Sequence, residues 1–402
     1  MKKAASICTI SADSTLIEAI IGNQDLADEI LLSLSPKSLV KSKCISKKFL
    51  SMISNPYFER RYSLLHPPSF SGLFLVPTII GYNPEIEYLS LGQYDHDHHP
   101  NGPLISFLTT QGFKILQSCN GLLLCSRNYF GKQHITTYHV CNPTTRQYVD
   151  LPRNTFMKVY HFELSLAYDP LRSRSYNVIC VQILDEHQGL CQISIYESIT
   201  GLWMPHNELF VAPEGIDFGH AVYCNGNIHW IKGSKSKGLF FNIDTKCLKS
   251  LPELPTKEHD LPHQCIYEHF GHSQGFLQYV VTSPSLRHFE IFEMNKDYSR
   301  WLFKFRIDLG ALARKFPSMA RRSLGGYIMD SSYECDVLSV FRGQNNNSHY
   351  KVLLSIPGEV IAYNHKMKTS WKVCDLKVRA QERRVWYRVY SAYEYYETIS
   401  PL

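Results

Sequence analysis

The chain has 402 residues, 44% of them hydrophobic and 19% charged. That is enough length and apolar content for a sizeable core, which excludes a disordered chain and a disulfide-stapled mini-protein. The 42 Lys and Arg against 36 Asp and Glu leave a formal charge of +6, too mild and too scattered for the basic stripe of a nucleic-acid binder.

Residues 1–22 carry Lys2 and Lys3, but Asp13 and Glu18 interrupt any apolar h-region, so a flexible N-terminus is expected rather than an export signal. No run approaches the roughly 18 uninterrupted apolar residues of a membrane-spanning helix. The 12 cysteines run from Cys8 to Cys374 without a CxxC pair. Reduced thiols, many in the core, and a cytoplasmic or nuclear address follow.

Residues 23–65 have a helical period. Leu26, Ile30, Leu31 and Leu34 recur at helical spacing behind a capping residue, Asn23. Ser35-Pro36 breaks this helix and starts a second through Leu39 and Val40. A third follows Cys44-Ile45-Ser46, with Phe49, Leu50, Met52 and Ile53 apolar, and Asn55-Pro56 stops it. Tyr57, Phe58, Tyr62 and Leu65 are read as a docking turn. Three short helices bury little surface alone, so an adjoining domain or partner is required.

These residues carry a resemblance. Asp25 to Leu31, Leu34-Ser35-Pro36-Lys37-Ser38-Leu39, Lys43 to Phe49 and Ile53-Ser54-Asn55-Pro56-Tyr57-Phe58 match an F-box in order. Gly22-Asn23 replaces the family's opening Leu-Pro, and Phe49 replaces its Trp. The resemblance implies binding to a Skp1-type adaptor, and through it to a cullin. It assigns the contact to Leu26, Ile30, Leu31, Leu34, Pro36, Leu39, Val40, Cys44, Ile45 and Phe49.

From residue 66 to about 380 the period changes. Short apolar runs alternate with turn signals: Leu73–Val76, Leu122–Cys125, Tyr138–Val140, Tyr176–Val181, Ile193–Tyr196, Ile228–Ile231, Leu239–Phe241, Phe276–Val281, Phe289–Phe292, Val337–Phe341, Val352–Ile356 and Val360–Tyr363. With 13% aromatic residues, this is a mainly β chain. Cys119-Asn120-Gly121 returns as Cys224-Asn225-Gly226, 105 residues on. A strand–turn–strand unit recurs with turns starting at Asn142, Glu197, Asn242, Glu293 and Asn364, spaced by 55, 45, 51 and 71 residues. One such unit cannot bury both faces, so copies must stack. A period near 40–50 residues is that of a propeller blade, and about six blades are expected.

Residues 119–124, 142–147 and 151–152 closely resemble the hallmark of the kelch-like F-box-associated domain of plant F-box proteins. The expected organisation is residues 23–65 as a three-helix F-box, 66–380 as a propeller, and 381–402 as a tail closing onto it.

Candidate chemistry is sparse. His96, His98 and His99 with Asp95 and Asp97 share one loop, where adjacent ligands have no rigid geometry, so no metal is expected. His259, His263, His269 and His272 fit no helix face and are read as loop histidines at one propeller mouth, available to a target. Trp203, Trp230, Trp301 and Trp371 are expected mostly in the core. GxSxG, Walker and HExxH motifs are absent, and no cofactor is implied. Lys37, Lys41, Lys43, Lys47 and Lys48 are read as solvated helix faces or as complementary to an acidic partner, rather than as a nucleic-acid contact, which would want interleaved aromatics.

The irregular inserts 92–103, 184–190, 213–219, 257–275 and 343–349 are the expected target-binding loops. The resemblance implies a non-catalytic substrate receptor of a Skp1–cullin–F-box ubiquitin ligase, holding an unknown target protein. The alternative is a propeller enzyme or carbohydrate-binding propeller with a helical cap.

Overall fold

The computed structural model describes residues 23–68, 70–77, 86–91, 103–129, 135–153, 161–231, 237–255, 267–282, 288–320, 333–343, 349–376, 390–400 and 402. It opens with four helices: α1 Gln24–Ser33, α2 Pro36–Ser42, α3 Lys47–Ile53 and α4 Pro56–Leu65. Each is started by a side chain that accepts from an otherwise orphaned amide: Asn23, Ser35, Ser46 and Asn55 in turn. The stretch after Asn55, expected as a turn, is a fourth helix. Pro56 does stop α3, but at the first position of α4 its fixed φ is already helical.

The rest is mainly strand, in six sheets. The first holds β1 Phe70–Pro77 and β2 Glu87–Ser90. Helix α5 Pro103–Thr110 leads to the second blade: β3 Lys114–Cys119, β4 Leu122–Tyr129, β5 Ile135–Asn142 and β6 Gln147–Asp150. The third is β7 Phe162–Ala167, β8 Asn177–Asp185, β9 Leu190–Glu197 and β10 Leu202–Val211. The fourth is β11 Ala221–Cys224, β12 Asn227–Trp230, β13 Leu239–Asn242 and β14 Leu248–Ser250. The fifth is β15 Tyr267–Ser273, β16 Phe276–Thr282, β17 His288–Met294 and β18 Trp301–Asp308, followed by α6 Leu309–Lys315. The sixth is β19 Asp336–Arg342, β20 Tyr350–Ile356, β21 Glu359–Asn364 and β22 Thr369–Asp375.

The last strand, β23 Tyr390–Tyr396, returns to the first sheet and pairs antiparallel with β1. Strands β3, β7, β11, β15, β19 and β23 touch one another in succession and back to the start. They are the innermost strands of a closed six-bladed propeller.

The repeat lies where the spacing placed it. Asn142, Glu197, Asn242 and Asn364 each end the third strand of a blade and pair with the residue five positions on. Four positions on, Arg146, Gly201, Lys246 and Lys368 all take left-handed φ, between 53° and 67°. In the fifth blade the matching residue is Asn295, whose amide donates to Arg300, not Glu293 as the spacing suggested. Blades are also stapled to their neighbours. The Trp203 indole donates to Pro152 at 2.8 Å, and the Trp301 indole to Pro252 at 3.0 Å. The recurrent Leu-Pro thus supplies the acceptor for the tryptophan of the next blade. Trp230 and Trp301 are buried and Trp203 half-buried, but Trp371, expected in the core, is exposed on an outer strand.

Glu293, displaced from its expected turn, sits inside the sheet and is buried. It meets Lys304 at 2.8 Å, Arg342 at 3.4 Å and the Tyr350 hydroxyl at 2.8 Å, tying the fifth blade to the sixth. Removing the Glu293 carboxylate takes a charge partner from both Lys304 and the buried Arg342. Glu293→Ala should therefore cost about 3 kcal/mol, read as a lowered midpoint of urea unfolding.

Candidate partner-binding surfaces

The four helices enclose a small core of Ala27, Leu31, Leu32, Leu39, Met52, Ile53, Phe58 and Tyr62, against which Leu34, Val40 and Phe49 pack. The expected adaptor-contact residues therefore divide. Leu31 and Leu39, the latter 0% exposed, belong to this interior. Leu34, Pro36, Val40 and Phe49 are half-buried. Leu26, Ile30, Cys44 and Ile45 face solvent, with Ile30 at 37% and Ile45 at 62% exposed. Leu50 is exposed as well. Its outward position follows from the pattern: Phe49, Met52 and Ile53 share one face of α3, which turns Leu50 outward. Exposed Lys41 and Lys47 flank these apolar side chains in sequence.

The helical unit sits on one particular face of the propeller. Within every antiparallel blade, the turns from first to second and from third to fourth strand lie at one end. Contacts between blades bring these ends together: Arg172 with Asp244, Asn225 with Gly275 and Gln274 with Arg342. Glu59 of α4 pairs with Arg174 in the β7–β8 connection on this same face, and Lys37 reaches Glu397, beyond β23, at 2.8 Å. Burial raises the Glu59 pKa against the pull of Arg174.

The opposite face is built from the second-to-third-strand turns and the connections between blades. There His161 meets Glu186 at 3.2 Å, and His220 meets Asp217 at 2.8 Å. Glu163 stands nearby, its pKa raised by burial and then by the Asp217 charge. Of the expected inserts, 184–190 is largely a tight β8–β9 turn capped by Asp185, and 213–219 is the β10–β11 connection; both belong to this face. Insert 343–349 joins first to second strand, so its described ends, Gly343 and His349, lie on the helix-bearing face. Residues 92–102, 256–266 and 344–348 lie outside the described residues, and with them His96, His98, His99, His259 and His263.

His269 and His272, expected in a loop, are on β15, the innermost strand of the fifth blade. Insert 257–275 thus contains a strand over 267–273. Three positions apart on a strand, the two rings point to opposite faces and form no cluster. Both are half-buried. Among the described residues, no three His, Cys, Asp or Glu side chains are placed to hold a metal. The strand-borne thiols are core groups: burial pushes Cys191 to about 11 and Cys224 to about 12. Cys247 departs from that expectation, being exposed in the β13–β14 turn. Among the described residues, no helix is long and apolar enough to cross a membrane.

Burial lowers the His269 pKa from 6.5 to about 4. Below pH 6.5 the unfolded chain takes up a proton that the folded chain refuses until about pH 4. The contribution of neutral His269 is thus complete above 6.5 and is lost as pH falls through that window. His269→Gln should flatten the fall in stability between pH 6.5 and 4, measured by urea unfolding at each pH.

Comparison with known proteins agrees with this architecture. Residues 93–274, which span the second to fourth blades and β15, match the F-box associated beta propeller domain. F-box protein At5g07610 of Arabidopsis thaliana is 34% identical over 384 residues, covering 91% of this chain and 88% of its own. F-box protein At5g03970 of the same plant is 24% identical, with 75% and 73% covered. F-box/kelch-repeat protein At3g17530 is 23% identical, with 65% and 68% covered. Four capped helices seated on a six-bladed propeller, and a relative this similar along nearly the whole chain, give one conclusion: the chain belongs to the F-box proteins of plants that carry an F-box-associated β-propeller.

Proposed function

We propose that this chain is the substrate-receptor subunit of a Skp1–cullin–F-box ubiquitin ligase, with its helices on the adaptor and its free propeller mouth on a target protein. The observation that carries this reading is the outward set Leu26, Ile30, Ile45 and Leu50 on a unit whose interior is already filled by other side chains. Apolar residues that a small domain's own packing does not need suit a partner's surface. Exposed Lys41 and Lys47 favour an acidic one. The receptor itself performs no bond chemistry on this reading. It raises the concentration of its target beside the ubiquitin-loaded enzyme.

The target mouth is the face away from the helices. Among the described residues its connections do not repeat the turn geometry of the other face, and their His, Asp, Glu and Lys side chains suit adaptable polar recognition.

Ile30→Glu and Ile45→Glu should each weaken capture of a purified Skp1 adaptor roughly 100-fold while the helical circular dichroism is retained. Leu39→Glu should instead unfold the helices, because an unpaired charge would be buried in their core. Wild-type capture by both surface variants would refute the adaptor reading.

Replacing residues 213–217 with a Gly/Ser segment of equal length, which leaves the buried Phe218 in the core, should change which proteins co-purify from plant extract and leave adaptor capture intact. Loss of adaptor capture with an unchanged set of co-purifying proteins would reverse the assignment of the two faces.

A further inference from the structure

Residues 397–400 follow β23 and have no regular secondary structure, yet Thr398, Ile399 and Ser400 are buried. Their side chains divide between two bodies. Ile399, 2% exposed, joins the core of the helical unit beside Leu31, Leu39, Ile53 and Phe58. Thr398 and Ser400 are held by the propeller. The Asn142 amide group donates to the backbone carbonyls of Thr398 at 3.1 Å and Ser400 at 2.9 Å. The Thr398 amide donates to the Thr144 hydroxyl at 3.2 Å, and the Tyr168 hydroxyl donates to Ser400. This is the period of two of an extended segment, with one side given to each domain.

The hallmark residues of the second blade shape the seat. Gly121, at φ +95°, lies so close to the segment that a Cβ there would meet the Tyr396 carbonyl at 2.6 Å and the Thr398 methyl at 2.5 Å. Asn142 is fully buried, and its Oδ1 caps its own turn by accepting from Thr144 and Thr145. In the fourth blade the equivalent Asn242 caps its turn onto Thr245, but its amide group donates to Asn227 within the blade. The second-blade copy has therefore taken on a task that its counterpart does not perform.

We propose that residues 397–400 are a two-sided strap that locks the helical unit to the propeller as one body, with Asn142 and Ile399 as the positioning residues. The strap completes the helical core, so these helices do not reach full stability without the propeller's last residues. It also fixes the separation of the adaptor surface from the opposite mouth. That consequence rests on the receptor reading; the coupling itself does not.

Amide hydrogen exchange on the full chain tests the strap without any partner. Asn142 is a propeller residue whose side chain bonds its own turn and the strap, so its effect on the helices must pass through residues 397–400. Ile399→Ala and Asn142→Ala should each speed exchange in α1 and α4 at least about tenfold, with β8, β9 and β20 as protected as in the wild type. Combining them should add little to Ile399→Ala, because both remove the same link. Asn242→Ala, which loses a turn cap but touches no strap residue, should leave the helices unchanged. The proposal is overturned by helices indifferent to Ile399→Ala or Asn142→Ala, or by an equal response to Asn242→Ala. It is overturned too if either strap variant exposes β8, β9 and β20 along with the helices, which would make the segment a general fold element.

Discussion

Closure of the ring by β23 is the constraint on which the rest of this molecule depends. The strand pairs residue by residue with β1 from Pro77 opposite Tyr390 to Gly72 opposite Tyr395, and after a register shift Phe70 lies opposite Tyr396, across more than 300 positions of chain. Bringing such distant segments together has an entropic cost, but that cost grows only slowly with loop length. Once made, the pairing leaves every blade with two neighbours and every innermost strand covered. Phe74, Tyr88 and Tyr395 pack at ring separations of 5.3 to 5.8 Å in the closing blade, so closure is also a burial of aromatic surface. The strap then begins where this strand ends. Ring closure and seating of the helices are successive contacts of one C-terminal segment.

That arrangement explains why residues around 119 and 142 are so distinctive. A turn cap alone needs only an Asx side chain and a tolerant left-handed position, which Asn242 and Asn364 supply in their own blades. In the second blade Cys119-Asn120-Gly121 and Asn142-Pro143-Thr144 also receive another segment. Asn120 donates to the Tyr168 carbonyl at 2.7 Å, and Cys119 shares two bonds with the Tyr168 backbone. Tyr168 in turn holds Ser400. The motif is best understood as a receptor for the chain's own C-terminal residues, with the turn as its frame.

The sequence revealed the second and third strands of the blades far better than the first and fourth. Middle strands such as β8 and β20 are covered on both faces by neighbouring blades, so they read as continuous apolar runs. Outer strands are solvated: β10 is exposed along most of its length, and β6 and β14 likewise. Their composition is therefore close to that of loops. Innermost strands approach the axis and alternate apolar with polar residues, which is why β15 with its two histidines passed for an insert. In α4 the obstacle was local, since Asn-Pro ends one helix and begins another with the same two residues. The division of Leu26, Ile30 and Ile45 from Leu31 and Leu39 needed the packed helices, because all five are equally apolar in sequence.

The two faces of the propeller are under different physical demands, and this suits the two tasks proposed for the chain. On the helix-bearing face most turns are short, the β7–β8 and β19–β20 connections being longer, and several residues take left-handed φ: Asn120, Arg146, Asn225, Lys246, Gln274 and Lys368. Such turns tolerate few insertions, because the strands they join must stay in register. They make a nearly fixed platform, and a fixed platform is what a helical unit needs if its orientation is to be constant. On the other face the connections run from the exposed outer strand of one blade to the innermost strand of the next. Each must span the blade, and its length is set by no turn geometry, as the difference between 151–161 and 309–335 shows. Insertions there lengthen a loop at small entropic cost and leave the sheets untouched. Loop length and sequence can therefore vary at one end of the ring while the other end keeps a constant grip on the helices.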